Sequence, residues 1–250
     1  MPRELRAALR RLAESLESAE PSAALRPAGQ RQRARLQVQA HGFEARTRSA
    51  LEGAFPRARA RLGDAWLPLG ASFVRTAKLP GNLGLIGRGF AEFLEHEGVA
   101  TEAVDLARVE WSMVASSLLP RRAPLDLESL ARAGTRARLA FQPHLLVLQT
   151  RVDVAPLLED PRAPAAHGCR ELWTYRQGER CCARVPAEPE RRLHEALRKD
   201  ARLAAAVTEV DPPEDALSLV LARWAAEELM CAVPTRSSKA RRASGSHPAR

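Results

Sequence analysis

Aromatic side chains make up only 4% of the 250 residues, so any core has to be built mainly from Leu, Val and Ala. Lysine is nearly missing: Lys78, Lys199 and Lys239 stand alone among 39 basic residues. This is a bias of composition, shared with the abundance of alanine, and points to no chemistry. The four cysteines, Cys169, Cys181, Cys182 and Cys231, are too few and too irregularly spaced for a disulfide framework. The adjacent pair Cys181-Cys182 is neither a C-x-x-C redox motif nor a zinc knuckle. Reduced thiols in a cytoplasmic protein are the expectation. No run approaches the roughly 20 apolar residues that a membrane helix needs. The opening MPRELRAALRRLAESLES is charged throughout and does not read as a signal peptide.

What the chain does have is a very uneven charge. The formal net charge is +9, yet residues 1–25 balance to zero. Residues 26–61 carry nine arginines against Glu44 and Glu52, and residues 235–250 carry five cations and no acid, which leaves 62–234 at −3. The positive charge sits in one segment and one tail, and the body is mildly acidic.

Apolar periodicity predicts helices through the first half. Leu5, Leu9, Leu12 and Leu16 form one stripe, and a second helix runs from about Gln30 to Ala54 with Leu36, Phe43 and Leu51 as core contacts. Pro56 opens a further helix to Leu62, since proline is well suited to the first helical position. Ala65 to Ala77 and Thr101 to Leu118 follow, the latter with Val104, Ala107, Trp111 and Val114 inward. Between them lies LPGNLGLIGRGFAEFL, whose glycine spacing matches neither G-x-G-x-x-G nor G-x-x-x-x-G-K-[ST]. A predicted helix precedes it where both phosphate motifs need a strand. Asn82 is therefore expected to cap a helix that includes Gly87, with the glycine there for close packing.

After SSLLPRRAPLDLESLARAGT, a linker with a short helix, the pattern changes. ARLAFQPHLLVLQTRVDV and ELWTYRQGERCCARVP are rich in β-branched and aromatic residues, with a hairpin turn over residues 176–179. Helices are predicted over Pro189 to Ala206 and Pro213 to Leu229, and MCAVP as a last strand. The expected fold is α+β. A helical domain over residues 1–120, a linker over 121–135 and an α/β domain over 136–234 precede a disordered basic tail over 235–250.

No constellation in the sequence points to an enzyme, a metal or a cofactor. Glu95-His96-Glu97 puts neighbours on different helix faces. His167 and Cys169 are only two ligands. Asp105, Glu110 and Arg108 read as ion pairs or caps.

The N-terminal half resembles the HvfC/BufC family. The residues that carry the resemblance are Phe55-Pro56, Leu62-Gly63, Phe73, Pro80, Asn82-Leu83, Gly87, Phe90, Phe93-Leu94, Asp105, Ala107, Glu110 and Trp111, across residues 30–118. The C-terminal half resembles it more loosely, through RLAFQPHLLVLQTRVDV and LWTYRQG. Where family members carry Tyr and Asn-Asn in the second helix, this chain has Gln39-Ala40-His41-Gly42. The resemblance implies a non-catalytic partner of a multinuclear non-haem iron oxygenase, one that presents a ribosomally made precursor peptide for cysteine modification linked to metal handling. Gln39 and His41 are then candidate contacts. Independently, the strand Leu172-Trp173-Thr174-Tyr175 makes Trp173 and Tyr175 candidates, because an open sheet edge accepts a peptide as an added strand.

The family's N-terminal region is also catalogued as DNA-binding. The residues for that reading are Arg31, Arg33, Arg35, Arg57, Arg59 and Arg61, with Lys239, Arg241 and Arg242 of the tail. Against it, the arginines at 57, 59 and 61 do not share one helix face, and no reading helix or zinc module is evident.

Overall fold

A computed structural model describes residues 30–76, 82–134 and 137–233; the side chains of 30–41 other than Val38, and that of Leu83, fall outside the description. The leucine stripe at Leu5 to Leu16, the expected tail over 235–250 and Pro80 lie outside the described residues.

The fold is mixed α+β. In chain order the helices are α1 (Gln30–Ala54), α2 (Pro56–Leu62), α3 (Trp66–Thr76), α4 (Phe90–His96), α5 (Thr101–Leu118), α6 (Leu127–Ala133), α7 (Ala155–Glu159), α8 (Glu188–Lys199), α9 (Leu203–Val210) and α10 (Glu214–Ala226). The strands are β1 (Leu139–Phe141), β2 (Leu146–Asp153), β3 (Ala166–Gln177), β4 (Arg180–Arg184) and β5 (Met230–Ala232), in sheets of order β1-β5 and β2-β3-β4.

Two compact units result, and they interleave. Among the described residues, the first takes those of 30–116 together with 147–174 and 183–185; the second takes those of 117–146, 175–182 and 186–233. The cut after 116 lies near the expected boundary at 120, but the expected linker 121–135 contains α6 and belongs to the second unit. The N-terminal helices also do not form a unit by themselves, because α5 is apolar on two faces. Val104 and Ala107 pack into one core with Leu51, Phe55, Phe90 and Leu94. Leu106 and Val109, on the other face, pack with Val154, Leu157 and Leu172. A helix buried on both sides recruits cover wherever the chain can supply it.

The first core gathers most of the scarce aromatics around Phe90. Its ring lies 4.8 Å from Phe55, 5.0 Å from Phe73 and 5.5 Å from Trp66, within the range of favourable tilted and edge-on contacts. The glycine-rich stretch differs from the expected single helix. Leu83–Leu85 is one 3-10 turn, residues 86–89 form a turn, and α4 starts only at Phe90 behind Gly89, whose φ of 85° is left-handed. Asn82 caps locally instead, its Oδ1 accepting from the Gly84 amide at 2.9 Å. The close-packing role of Gly87 does appear. A Cβ there would stand 2.6 and 2.7 Å from ring atoms of Phe55 and 2.9 Å from the Trp111 ring.

In the second unit the helix expected over Pro189 to Ala206 is two helices, α8 and α9. The break follows from pairing with β1: the Leu139 amide donates to the Ala201 carbonyl at 2.7 Å, and the Leu203 amide to the Ala137 carbonyl at 3.0 Å. Those groups cannot serve a helix at the same time. On the far side of this sheet, the Leu125 amide donates to the Met230 carbonyl at 2.9 Å. Both edges of β1-β5 are thereby covered.

Candidate functional site

The buried carboxylates are the first place to look for chemistry, and in each the structure answers with backbone amides. Phe55 sits at the N-cap of α2 and has no side chain able to satisfy the first amides. Glu110 of α5 does so from outside: Oε1 accepts from the Arg57 amide at 2.8 Å and Oε2 from the Ala58 amide at 2.9 Å. Its burial pushes the carboxyl above the ordinary range, opposed by those two amide bonds and by the Arg57 guanidinium 3.8 Å away. Asp105, fully buried, accepts from the amides of Arg151 at 2.5 Å and Val152 at 3.2 Å on β2 and from Arg108 at 3.0 Å. Glu190 accepts from its own helix's N-cap amide, Ala187, at 2.8 Å and from Trp224 Nε1 at 3.1 Å. These carboxylates close helix ends and a strand edge, with their lone pairs directed at fixed donors.

The arginines expected to meet phosphate are engaged in the same way. Arg57 Nε donates to the Leu158 carbonyl at 2.7 Å, and Arg61 donates to the Ala163 carbonyl at 2.8 Å and pairs with Glu102 at 3.1 Å. Arg59 pairs with Glu52 at 3.2 Å. Leu158, Pro161 and Ala163 lie at and just past the end of α7, where carbonyls lack partners and attract cations. Arg57, Arg59 and Arg61, expected on the nucleic-acid reading to face phosphates, have their guanidinium groups engaged within the first unit. Arg31, Arg33 and Arg35 lie on α1, as do Gln39 and His41, and their side chains are outside the described residues; so are Lys239, Arg241 and Arg242.

Trp173 is fully buried and Tyr175 nearly so, which removes both as side-chain contacts for a peptide. Trp173 Nε1 donates to Glu171 at 2.8 Å, and the Arg184 guanidinium lies 5.3 Å from the centre of its ring. Their strand, β3, is the central one, with both edges taken by β2 and β4. An added strand therefore has to use an outer strand. On β2 the amides of Arg151 and Val152 already belong to Asp105. The other outer strand is β4.

The remaining family positions act as framework. Phe55 and Phe90 are fully buried, Gly63 closes α2 with a φ of 54°, and Trp111 and Phe93 pack at the margin of the first core. Among the described residues, no three His, Cys, Asp or Glu side chains are grouped to hold a metal ion. His167 and Cys169, read from sequence as a loop pair, are exposed on β3. The histidines with shifted protonation are buried in the second unit. His144 Nδ1 accepts from the Arg176 amide at 3.2 Å, and burial lowers its pKa. His194 packs 4.5 Å from the Phe141 ring, and burial, with Arg198 adding to it, lowers its pKa to about 4.

One feature of the second unit escaped the sequence reading. A groove of about 590 Å³ opens between α6, α9 and α10, with walls of leucine, valine and alanine. The available signal was α10 itself, where Leu217, Leu219, Val220, Leu221 and Trp224 place apolar residues on more than one face. Such a helix needs more cover than one core provides. No helix among the described residues is long and apolar enough to cross a membrane. No protein-family model matches this chain, and no curated protein does.

Proposed function

We propose that the protein is a non-catalytic partner subunit of the cytoplasm. It binds a multinuclear non-haem iron oxygenase and holds a ribosomally made precursor peptide for cysteine modification. The similarity of residues 30–118 to the HvfC/BufC pattern supports the choice of partner, with helices leading into a smaller α/β part. The observation that supports peptide binding is the place of β4 as an outer strand of the sheet β2-β3-β4. An extended segment laid along this five-residue strand gains main-chain hydrogen bonds over about 17 Å, and the neighbouring side chains supply selectivity. The DNA reading is weakened, because three of its arginines serve intramolecular carbonyls and carboxylates.

Hydrogen exchange by mass spectrometry tests this reading on the full chain. Adding the leader segment of the precursor peptide encoded beside the gene should slow exchange of the β4 amides, and co-expressed oxygenase should co-purify through a moderate-salt wash. Exchange on β4 unchanged by a saturating leader peptide would end the strand-addition reading. Failure of the oxygenase to co-purify would end the subunit reading.

A further inference from the structure

The groove in the second unit shares no residue with β4 and takes no part in the carboxylate or arginine contacts described above. Its walls include Leu127, Leu130, Val207, Leu217 and Leu221, and no charged side chain lines it. Leu127 remains 48% exposed on the groove wall. The charge comes at one end. Asp211, the C-cap of α9, lies one turn beyond the wall residues Val207 and Thr208, and Glu214, in the first turn of α10, lies one turn before Leu217 and Ser218. At that spacing Glu214 continues the groove-lining face of α10, while Asp211, left-handed at a φ of 47°, lies in the loop that joins the two wall helices at the same end of the groove. Both are exposed.

We propose that this groove docks an amphipathic helix of a partner protein, with leucine-sized side chains at i, i+4 and i+7 and basic residues at the end that meets Asp211 and Glu214. The volume fits that occupant. Benzene fills a cavity of about 150 Å³, or about 25 Å³ per carbon, so a leucine side chain needs about 100 Å³. A half-open groove of about 590 Å³ then takes three or four leucines, the apolar face of two to three helical turns. The lining residues of α10, Leu217 to Ala222, cover about 7.5 Å, and Glu214 stands one turn before them, which brings the length of α10 beside the occupant to about 12 Å. Apolar burial supplies the affinity, and the two carboxylates set the direction in which the helix lies. The proposal goes beyond the partner-subunit reading and does not depend on it.

Fluorescence anisotropy tests it on the full-length chain. The probe is a labelled synthetic helical peptide with leucines at i, i+4, i+7 and i+11 and two arginines at one end; its twin carries two glutamates there. The arginine peptide should bind saturably and about tenfold more tightly than the twin at low salt. Asp211→Asn with Glu214→Gln should erase that preference and retain binding, and Leu221→Ser should remove binding of both peptides while circular dichroism is unchanged. Three results would overturn the proposal. The first is absence of saturable binding, or equal binding of the two peptides. The second is binding that develops only after residues 1–29 are deleted, which would make the chain's own leucine stripe the occupant. The third is a concentration-dependent dimer that Leu221→Ser abolishes, which would make the occupant a second copy.

Discussion

Replacing Gly87 by alanine adds one methyl group in a place with no room for it. The new Cβ would meet Phe55 Cε2 at 2.6 Å, Phe55 Cζ at 2.7 Å and Trp111 Cε3 at 2.9 Å, where ordinary contact begins near 3.4 Å. The Phe55 ring cannot easily retreat, because it is fully buried and lies 4.8 Å from Phe90, itself held by Phe73 and Trp66. Gly87 is not among the residues with positive φ, so alanine meets no backbone penalty there and the whole cost is steric. Overpacking of this kind costs about 1–3 kcal/mol, which for a chain of this size lowers Tm by roughly 2–12 °C. Thermal and urea unfolding followed by circular dichroism would measure it. The diagnostic experiment is a cycle with Phe55→Leu, which trims the ring that the methyl strikes. Each single substitution should destabilise, and the double variant should be more stable than the sum of the two by about 0.5–3 kcal/mol. Gly89→Ala serves as a contrast, since a Cβ there meets nothing and its cost arises from a φ of 85°. It should show no coupling to Phe55. An alanine at 87 as stable as glycine, or strict additivity with Phe55→Leu, would refute the packing account.

Glu110→Ala should cost about 1–3 kcal/mol by leaving the first amides of α2 unsatisfied, and Glu110→Gln less, since its carbonyl still accepts; equal urea midpoints for wild type and Glu110→Ala would contradict the cap. His194 has a folded pKa of about 4 against 6.5 unfolded, so the unfolded chain takes up the proton first and stability falls as pH drops from about 6.5 towards 4. At pH 5 the loss is about 2 kcal/mol, and a His194→Asn variant should lack this share of the difference between urea midpoints at pH 7 and pH 5. Replacing Arg57, Arg59 and Arg61 together by alanine should lower Tm and leave DNA affinity unchanged at matched salt. Deleting 235–250 should instead flatten the salt dependence, by about 0.9 in log–log slope for each phosphate the tail neutralises; a tenfold fall in DNA affinity in the triple variant would restore those arginines as a nucleic-acid face.

The sequence by itself determined what depends on near neighbours. The spans of α1, α2 and α5 follow from apolar spacing and from Pro56 at the start of a helix, and β5 from a short apolar run between a helix and a proline. The purpose of Gly87 was legible too, since the residues around it offered no strand to build a phosphate loop. Tertiary structure decided whatever depends on a distant partner. Glu110 caps a helix 53 residues earlier in the chain, and Arg57 reaches a carbonyl 101 residues later. Nothing in either local sequence distinguishes such a carboxylate from a catalytic one, or such a guanidinium from a phosphate ligand. Trp173 and Tyr175 had the composition of a binding strand, but only strand order put β3 between two others and buried them. The chain from 189 to 206 reads as one helix by propensity and is divided between two, because Ala201 and Leu203 give their backbone groups to Leu139 of β1 and to Ala137 just before it. The division into units followed the same rule: α5 has two apolar faces, and the second is covered by residues that lie beyond the apparent domain boundary.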